Sequence, residues 1–122
     1  MRSYKLTGPN NEASVQKEVA RWLDFRGHLW CHPPNGGQRT VRTASALKAA
    51  GVKRGVPDIL VFTRPPRAGT CVGAALELKR EGSHRVSDEQ RAWLVALADL
   101  GWAVFAAEGS DVAIGWLAEL GY

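Results

Sequence analysis

The chain is poor in cysteine: Cys31 and Cys71 are its only two among 122 residues, and they form no CxxC pair. A disulfide framework is thereby poorly supported, and a cysteine-based zinc site lacks its usual ligand spacing. Both thiols lie in apolar stretches and are expected to be buried. Nowhere do eighteen consecutive apolar residues occur, and the opening MRSYKLTGPNNE has no apolar centre of the kind a signal peptide needs. A soluble protein is expected, cytoplasmic in a bacterial or phage-infected host cell, or else nucleoid-associated. The three histidines, His28, His32 and His84, have neither metal-ligand spacing nor a nucleophile to pair with, so no catalytic role is assigned to them. His32 is notable only for bordering a Pro-Pro-Asn-Gly-Gly loop. Repeats, low-complexity tracts and internal linkers are also missing. The length fits one domain over 1–122, and further binding surface has to come from that domain or from a second copy.

What the chain has is a basic balance, sixteen Lys plus Arg against twelve Asp plus Glu, for a formal charge of +4 and a pI near 9.4. This favours a polyanionic partner such as nucleic acid. Val15, Val19, Trp22 and Leu23 recur at helical spacing before Gly27 and predict a helix over about 12–26. His28 to His32 reads as a short strand running into Pro33-Pro34-Asn35-Gly36-Gly37, with Arg39 and Arg42 just beyond. An Ala-rich stretch over 41–50, stopped by Gly51, predicts a short helix. The basic turn Gly51-Val52-Lys53-Arg54-Gly55-Val56-Pro57 then delivers Asp58 to the strand Ile59 to Phe62. A hairpin-type connection over 63–70 leads to a second strand, Val72 to Lys79. Ser87-Asp88-Glu89-Gln90 is a capping-box pattern opening a helix that Gly101 closes. Trp102 to Ala107 predicts a strand, and Ser110-Asp111 opens a last helix. The order is that of an α/β domain, a mixed sheet flanked by helices.

Strand alternation in Ala75-Leu76-Glu77-Leu78-Lys79 sends the leucines to one face and places Glu77 and Lys79 side by side on the other. Asp58 lies nineteen positions before Glu77 at the mouth of the preceding strand, where a hairpin brings the two carboxylates to the same end of the sheet. Such paired hard oxygen ligands suit Mg²⁺ or Mn²⁺. A cation held there lowers the pKa of a water and polarises a phosphoryl oxygen, while Lys79 orients the attacking water or stabilises developing charge. The combination is chemistry for phosphodiester hydrolysis.

Pro57-Asp58 followed after a hairpin by Glu77-Leu78-Lys79 is the signature of the PD-(D/E)xK nucleases, whose restriction-endonuclease-like fold the chain is expected to share. Glu12-Ala13-Ser14-Val15-Gln16, His32 to Gly37, Leu47-Lys48, Gly51 to Asp58 and Ser87 to Gln90 together resemble the VRR-NUC family of virus-type replication-repair nucleases, from about Glu12 to the final helix. The resemblance implies a first-helix carboxylate at the metal site, with Glu12 the better match and Glu18 the second. The helical wheel agrees, because Glu12 falls within the stripe of Val15, Val19, Trp22 and Leu23, whereas Glu18 lies toward its edge. Gln90 matches the family's glutamine at the start of the helix after the second catalytic strand. Free-standing members resemble Holliday-junction resolvases in fold, which implies a homodimer acting on branched DNA in phage or bacterial replication, recombination or repair.

Each residue also has a plainer reading. Glu-x-Lys on a strand is often a solvated cross-strand ion pair, Glu12 a residue favoured by the helix dipole, and Gln90 the reciprocal half of a capping box with Ser87. Asn35 and its glycines can be a simple turn. Arg39, Arg42, Lys48, Lys53 and Arg54 cluster ahead of Asp58 and suit phosphate positioning or ordinary surface charge. The five tryptophans fit core or dimer contacts, and an exposed one could stack on an unpaired base. Two rival functions stand beside the structure-selective nuclease: a sequence-specific restriction-type enzyme, for which there is little spare chain, and a non-catalytic nucleic-acid-binding module, whose natural mark would be lost metal ligands.

Overall fold

A computed structural model describes residues 11–34 and 40–122. Its elements follow the expected order: α1 (Glu12–Phe25), β1 (Trp30–Cys31), α2 (Val41–Ala49), β2 (Ile59–Val61), β3 (Ala74–Lys79), α3 (Asp88–Asp99), β4 (Ala103–Glu108) and α4 (Gly109–Glu119). Asn11 opens α1 by accepting a hydrogen bond from the Ser14 amide at 2.9 Å, and Thr40 opens α2 through the Thr43 amide at 3.1 Å. Gly101 follows the last turn of α3 at φ +96°, a conformation that L side chains rarely adopt, so the glycine allows the chain to leave the helix and enter β4.

The strands form one mixed sheet in the order β1-β2-β3-β4. β2 is antiparallel to both β1 and β3, whereas β3 and β4 run parallel, and α3 supplies the crossover that a parallel pair requires. In the β2–β3 register Ile59 faces Leu76 and Val61 faces Ala74. These four side chains share the sheet face on which Val15, Val19 and Leu23 of α1 and Ala113 and Leu117 of α4 pack to make the core. Val15, Val19 and Leu23 are completely buried, as the 3.6-residue period demands. The opposite face of β3 and β4 is covered by α3.

Three sequence expectations are corrected. The first strand is two residues long, not five, because only Trp30 and Cys31 pair with β2. Cys31 is exposed and Cys71 only half-buried; the strand's alternation turns Trp30 toward the core and Cys31 away from it, on the edge strand of the sheet. The last helix begins at Gly109, with Glu108 at its cap position and no side-chain capping bond. No helix of the described residues is long and apolar enough to cross a membrane.

Candidate active site

Continuing the β2–β3 register one step past Ile59–Leu76 sets Asp58 opposite Glu77, and a second step sets Pro57 opposite Leu78. Directly opposed residues of an antiparallel pair share a face, so the two carboxylates are neighbours by construction. The observed pairing ends at Ile59, and Pro57 has no N–H with which to extend it. The Asp58 carboxylate takes over at this point, its Oδ2 accepting from the Leu78 amide at 2.7 Å. That bond fixes the aspartate at the end of the ladder. His32, for which no role was expected, also reaches this point: its Nδ1 lies 2.6 Å from the Asp58 carbonyl oxygen. Only the pairing of β1 with β2 makes that contact visible.

Glu77 and Lys79 both face α3 and are 3% and 8% exposed. Their side chains lie 3.5 Å apart, Lys79 Nζ to Glu77 Oε1. Gln90, in the first turn of α3, spans them: its Oε1 accepts from Lys79 Nζ at 3.1 Å and its Nε2 donates to Glu77 Oε1 at 2.7 Å. The same Oε1 accepts from the Ser87 amide at 2.9 Å, while Ser87 Oγ accepts from the Gln90 amide at 3.1 Å. The capping box and the link to the acid–base pair are therefore made together by one side chain, and the two readings of Gln90 do not compete.

Burial, then the neighbouring charge of Asp58, push the Glu77 carboxyl up to about 8, with Lys79 acting in the opposite sense. Glu77 Oε2 is buried and has no hydrogen-bond partner among the described residues. A buried, unpartnered carboxylate oxygen beside a second carboxylate is costly in the protein alone and suits a small hard cation. Asp58 and Glu77 fit Mg²⁺ or Mn²⁺ as a donor pair; no group of three or more His, Cys, Asp or Glu side chains among the described residues is placed to hold an ion.

The first-helix carboxylates are placed otherwise than the wheel suggests. Glu12 is exposed, whereas Glu18 is 7% exposed and its Oε2 has no hydrogen-bond partner among the described residues. Angle alone misleads here, because the covered part of α1 starts at Val15, one turn after Glu12. Glu18 sits about 60° around the helix from Val15, but within the covered length.

Arg42, Lys48, Lys53 and Arg54 are exposed on α2 and the turn after it, and α2 has no buried residue. Asn35 and Arg39 lie outside the described residues. Next to the centre, where Glu108 pairs in register with Lys79, a cavity of about 450 Å³ opens between the end of β4 and the start of α4, lined by Phe105, Ser110 and Asp111 among others. It holds none of the three central residues.

Comparison with known proteins bears on the family and the fold. A sequence model described as the VRR-NUC domain matches residues 10–111. Among solved structures, one described as a "VRR_NUC domain protein" superposes with a TM-score of 0.74 at 25% identity, covering 94% of this chain and 90% of that one. No curated protein matches the chain.

Proposed function

Because this chain belongs to the VRR-NUC family, a family of nuclease-type domains, we propose that it is a Mg²⁺- or Mn²⁺-dependent endonuclease that hydrolyses phosphodiester bonds in branched DNA and works as a homodimer. The observation that carries the reading is the buried Glu77 carboxylate, opposed by Asp58, paired with Lys79, and left with one oxygen unpartnered.

Asp58 and Glu77 would hold the cation; on α1 Glu18 is buried and Glu12 exposed, but neither is grouped with Asp58 and Glu77 around an ion position among the described residues. When bound, the cation would polarise the phosphoryl oxygen and lower the pKa of a nearby water. The residues supply the rest. Asp58 is anchored by the Leu78 amide, so its carboxylate keeps its place at the end of the ladder. Lys79, tied to Glu77 and Gln90, holds a positive charge where negative charge builds on phosphorus, and its donors can orient the attacking water. Hydrolysis forms one bond from water oxygen to phosphorus and breaks the bond to one sugar oxygen, which takes up a proton. Arg42, Lys48, Lys53 and Arg54, with Asn35 and Arg39, would grip phosphates, contacts that position a strand without reading its sequence. Two copies would give a branched substrate two cutting centres.

The test is incubation of the purified protein with labelled four-way junction, flap, single-stranded and duplex DNA in Mg²⁺, Mn²⁺ or EDTA, beside Asp58→Ala and Lys79→Ala. Metal-dependent cutting of the branched substrates, lost in both variants, is expected. Binding without cutting under every condition would leave a non-catalytic DNA-binding module, and discrete fragments from plain duplex would indicate a restriction-type enzyme.

A further inference from the structure

The basic turn before Asp58 and the first turn of α3 are far apart in sequence and pressed together in space. Gly55, at φ +84°, approaches so closely that a Cβ built on it would lie 2.6 Å from the Glu89 carbonyl carbon and 2.8 Å from the Gln90 nitrogen. No side chain fits that gap unless the backbone of one segment moves. Beside it, Trp93 Nε1 donates to the Arg54 carbonyl oxygen at 3.0 Å. One turn back, Ser87 and Gln90 close the capping box, and Gln90 is the residue whose amide spans Glu77 and Lys79. A steric stop and a hydrogen bond thus fix the height of the α3 N-terminus over β3.

We propose that Gly55 and Trp93 are positioning residues for the Asp58, Glu77 and Lys79 centre, clamping the Lys53-Arg54 turn to α3 so that the Gln90 amide holds Lys79 against Glu77. The kinetic part rests on the nuclease reading; the geometric part does not. The Gln90 amide can satisfy all three partners only from one position, and its two bonds to Glu77 and Lys79 are 2.7 and 3.1 Å long. A displacement of α3 away from β3 by about half an ångström would carry the Lys79 bond to about 3.6 Å, outside hydrogen-bond range, and the Glu77 bond to about 3.2 Å, its far limit, before it unfolds the helix. The clamp also ties two functions together. The turn that carries Lys53 and Arg54, exposed and suited to phosphate contact, cannot shift without carrying the partner of Lys79 with it.

The decisive experiment measures kcat and KM for the intact protein, Gly55→Ala, Trp93→Phe, Gln90→Ala and the Gly55→Ala/Gln90→Ala double variant. In parallel, the Gln90 side-chain amide is followed by NMR in the metal-free protein. Gly55→Ala is expected to lower kcat about 10- to 100-fold, the scale of losing an outer-shell partner, with KM within about twofold. Trp93→Phe, which removes the Nε1 donor together with part of the ring, is expected to cost severalfold. The double variant is expected to be no slower than Gln90→Ala, because both substitutions act on one bridge. The Gln90 side-chain amide should lose its protection from exchange in Gly55→Ala and Trp93→Phe, while backbone amides in the second half of α3 keep theirs. Losses that multiply in the double variant, or a Gln90 amide unchanged in both single variants, would overturn the proposal. If Gly55→Ala does not fold, Trp93→Phe decides. If the intact protein cuts nothing, the nuclease reading fails and the NMR comparison alone judges the clamp.

Discussion

Leu76 and Leu78 on one face of β3 and Glu77 and Lys79 on the other are all buried, but for different ends. The leucines meet Val15, Val19 and Leu23 of α1 and the apolar side chains of α4, and every contact there stabilises the fold. The acidic and basic residues meet one glutamine and each other, and the bridge leaves a carboxylate oxygen without a partner. Burying an ion pair with an open valence is poor for stability in itself, because desolvation opposes the Coulomb gain. Where one strand separates a fully satisfied face from an incompletely satisfied one, the second is the better candidate for function.

The largest expected effects set these faces against each other. Lys79→Met keeps the side-chain stem and removes the charge. It should lower cleavage by about 10²- to 10³-fold, as loss of a charge-stabilising donor does, while leaving stability at pH 6.5 within about 1 kcal/mol, since Glu77 can hold a proton there. Leu78→Ala, one residue away, should cost about 2–5 kcal/mol of stability and leave the activity of the folded fraction within a fewfold. Denaturant titration and single-turnover cleavage of both variants read the two quantities. A Leu78→Ala protein of full stability and no activity would break the comparison.

A smaller effect sharpens the polar side of it. Because the Glu77 pKa is raised from 4.5 to about 8, the folded protein keeps a proton that the unfolded chain has released between those values. Stability of the metal-free protein should then fall as pH rises from about 4.5 to 8, with a slope of up to about 1.4 kcal/mol per pH unit from this group. Below 4.5 both states are protonated and the slope from Glu77 vanishes. Thermal midpoints in EDTA across this range, for the intact protein and Glu77→Gln, check the sign. The variant should lose that downward slope, and Mg²⁺ or Mn²⁺ should restore stability chiefly at the alkaline end, where no proton has to be displaced.

Much of this arrangement was legible in the sequence, for reasons that differ by residue. The period of two in Ala75 to Lys79 put Glu77 and Lys79 on one face, and Ser87 to Gln90 announced a helix start, because strand alternation and capping are local rules. Asp58 opposite Glu77 needed only a hairpin-type connection. Partners brought together by the register of distant segments left no such trace. Gly55 under Gln90, Trp93 on Arg54 and His32 on Asp58 join residues 35, 39 and 26 positions apart. The exposure of Cys31 belongs to the same class, since which strand lies at the edge is settled by the sheet and not by the two residues in it.

Glu12 and Glu18 show that limit on a single helix, and give the smallest expected effect. A wheel records angle but not where along its axis a helix is covered; Glu12 has the right angle before coverage begins, and Glu18 a marginal angle within it. Burying a carboxylate with an unpartnered oxygen is unfavourable unless something else compensates; Glu18 is not grouped with Asp58 and Glu77 in the metal-free protein, so a cation shared with them would have to draw it in. On that account Glu18→Gln should weaken Mn²⁺ binding measured by calorimetry by about tenfold, or roughly 1.4 kcal/mol, and lower cleavage at limiting metal but less so at saturating metal. Glu12→Gln should change neither. The metal-free Glu18→Gln protein should be no less stable than the parent, because a neutral amide replaces a charge held out of water. Equal metal affinity in both variants would remove α1 from the metal centre and leave Asp58 and Glu77 to hold the ion with water and phosphate alone.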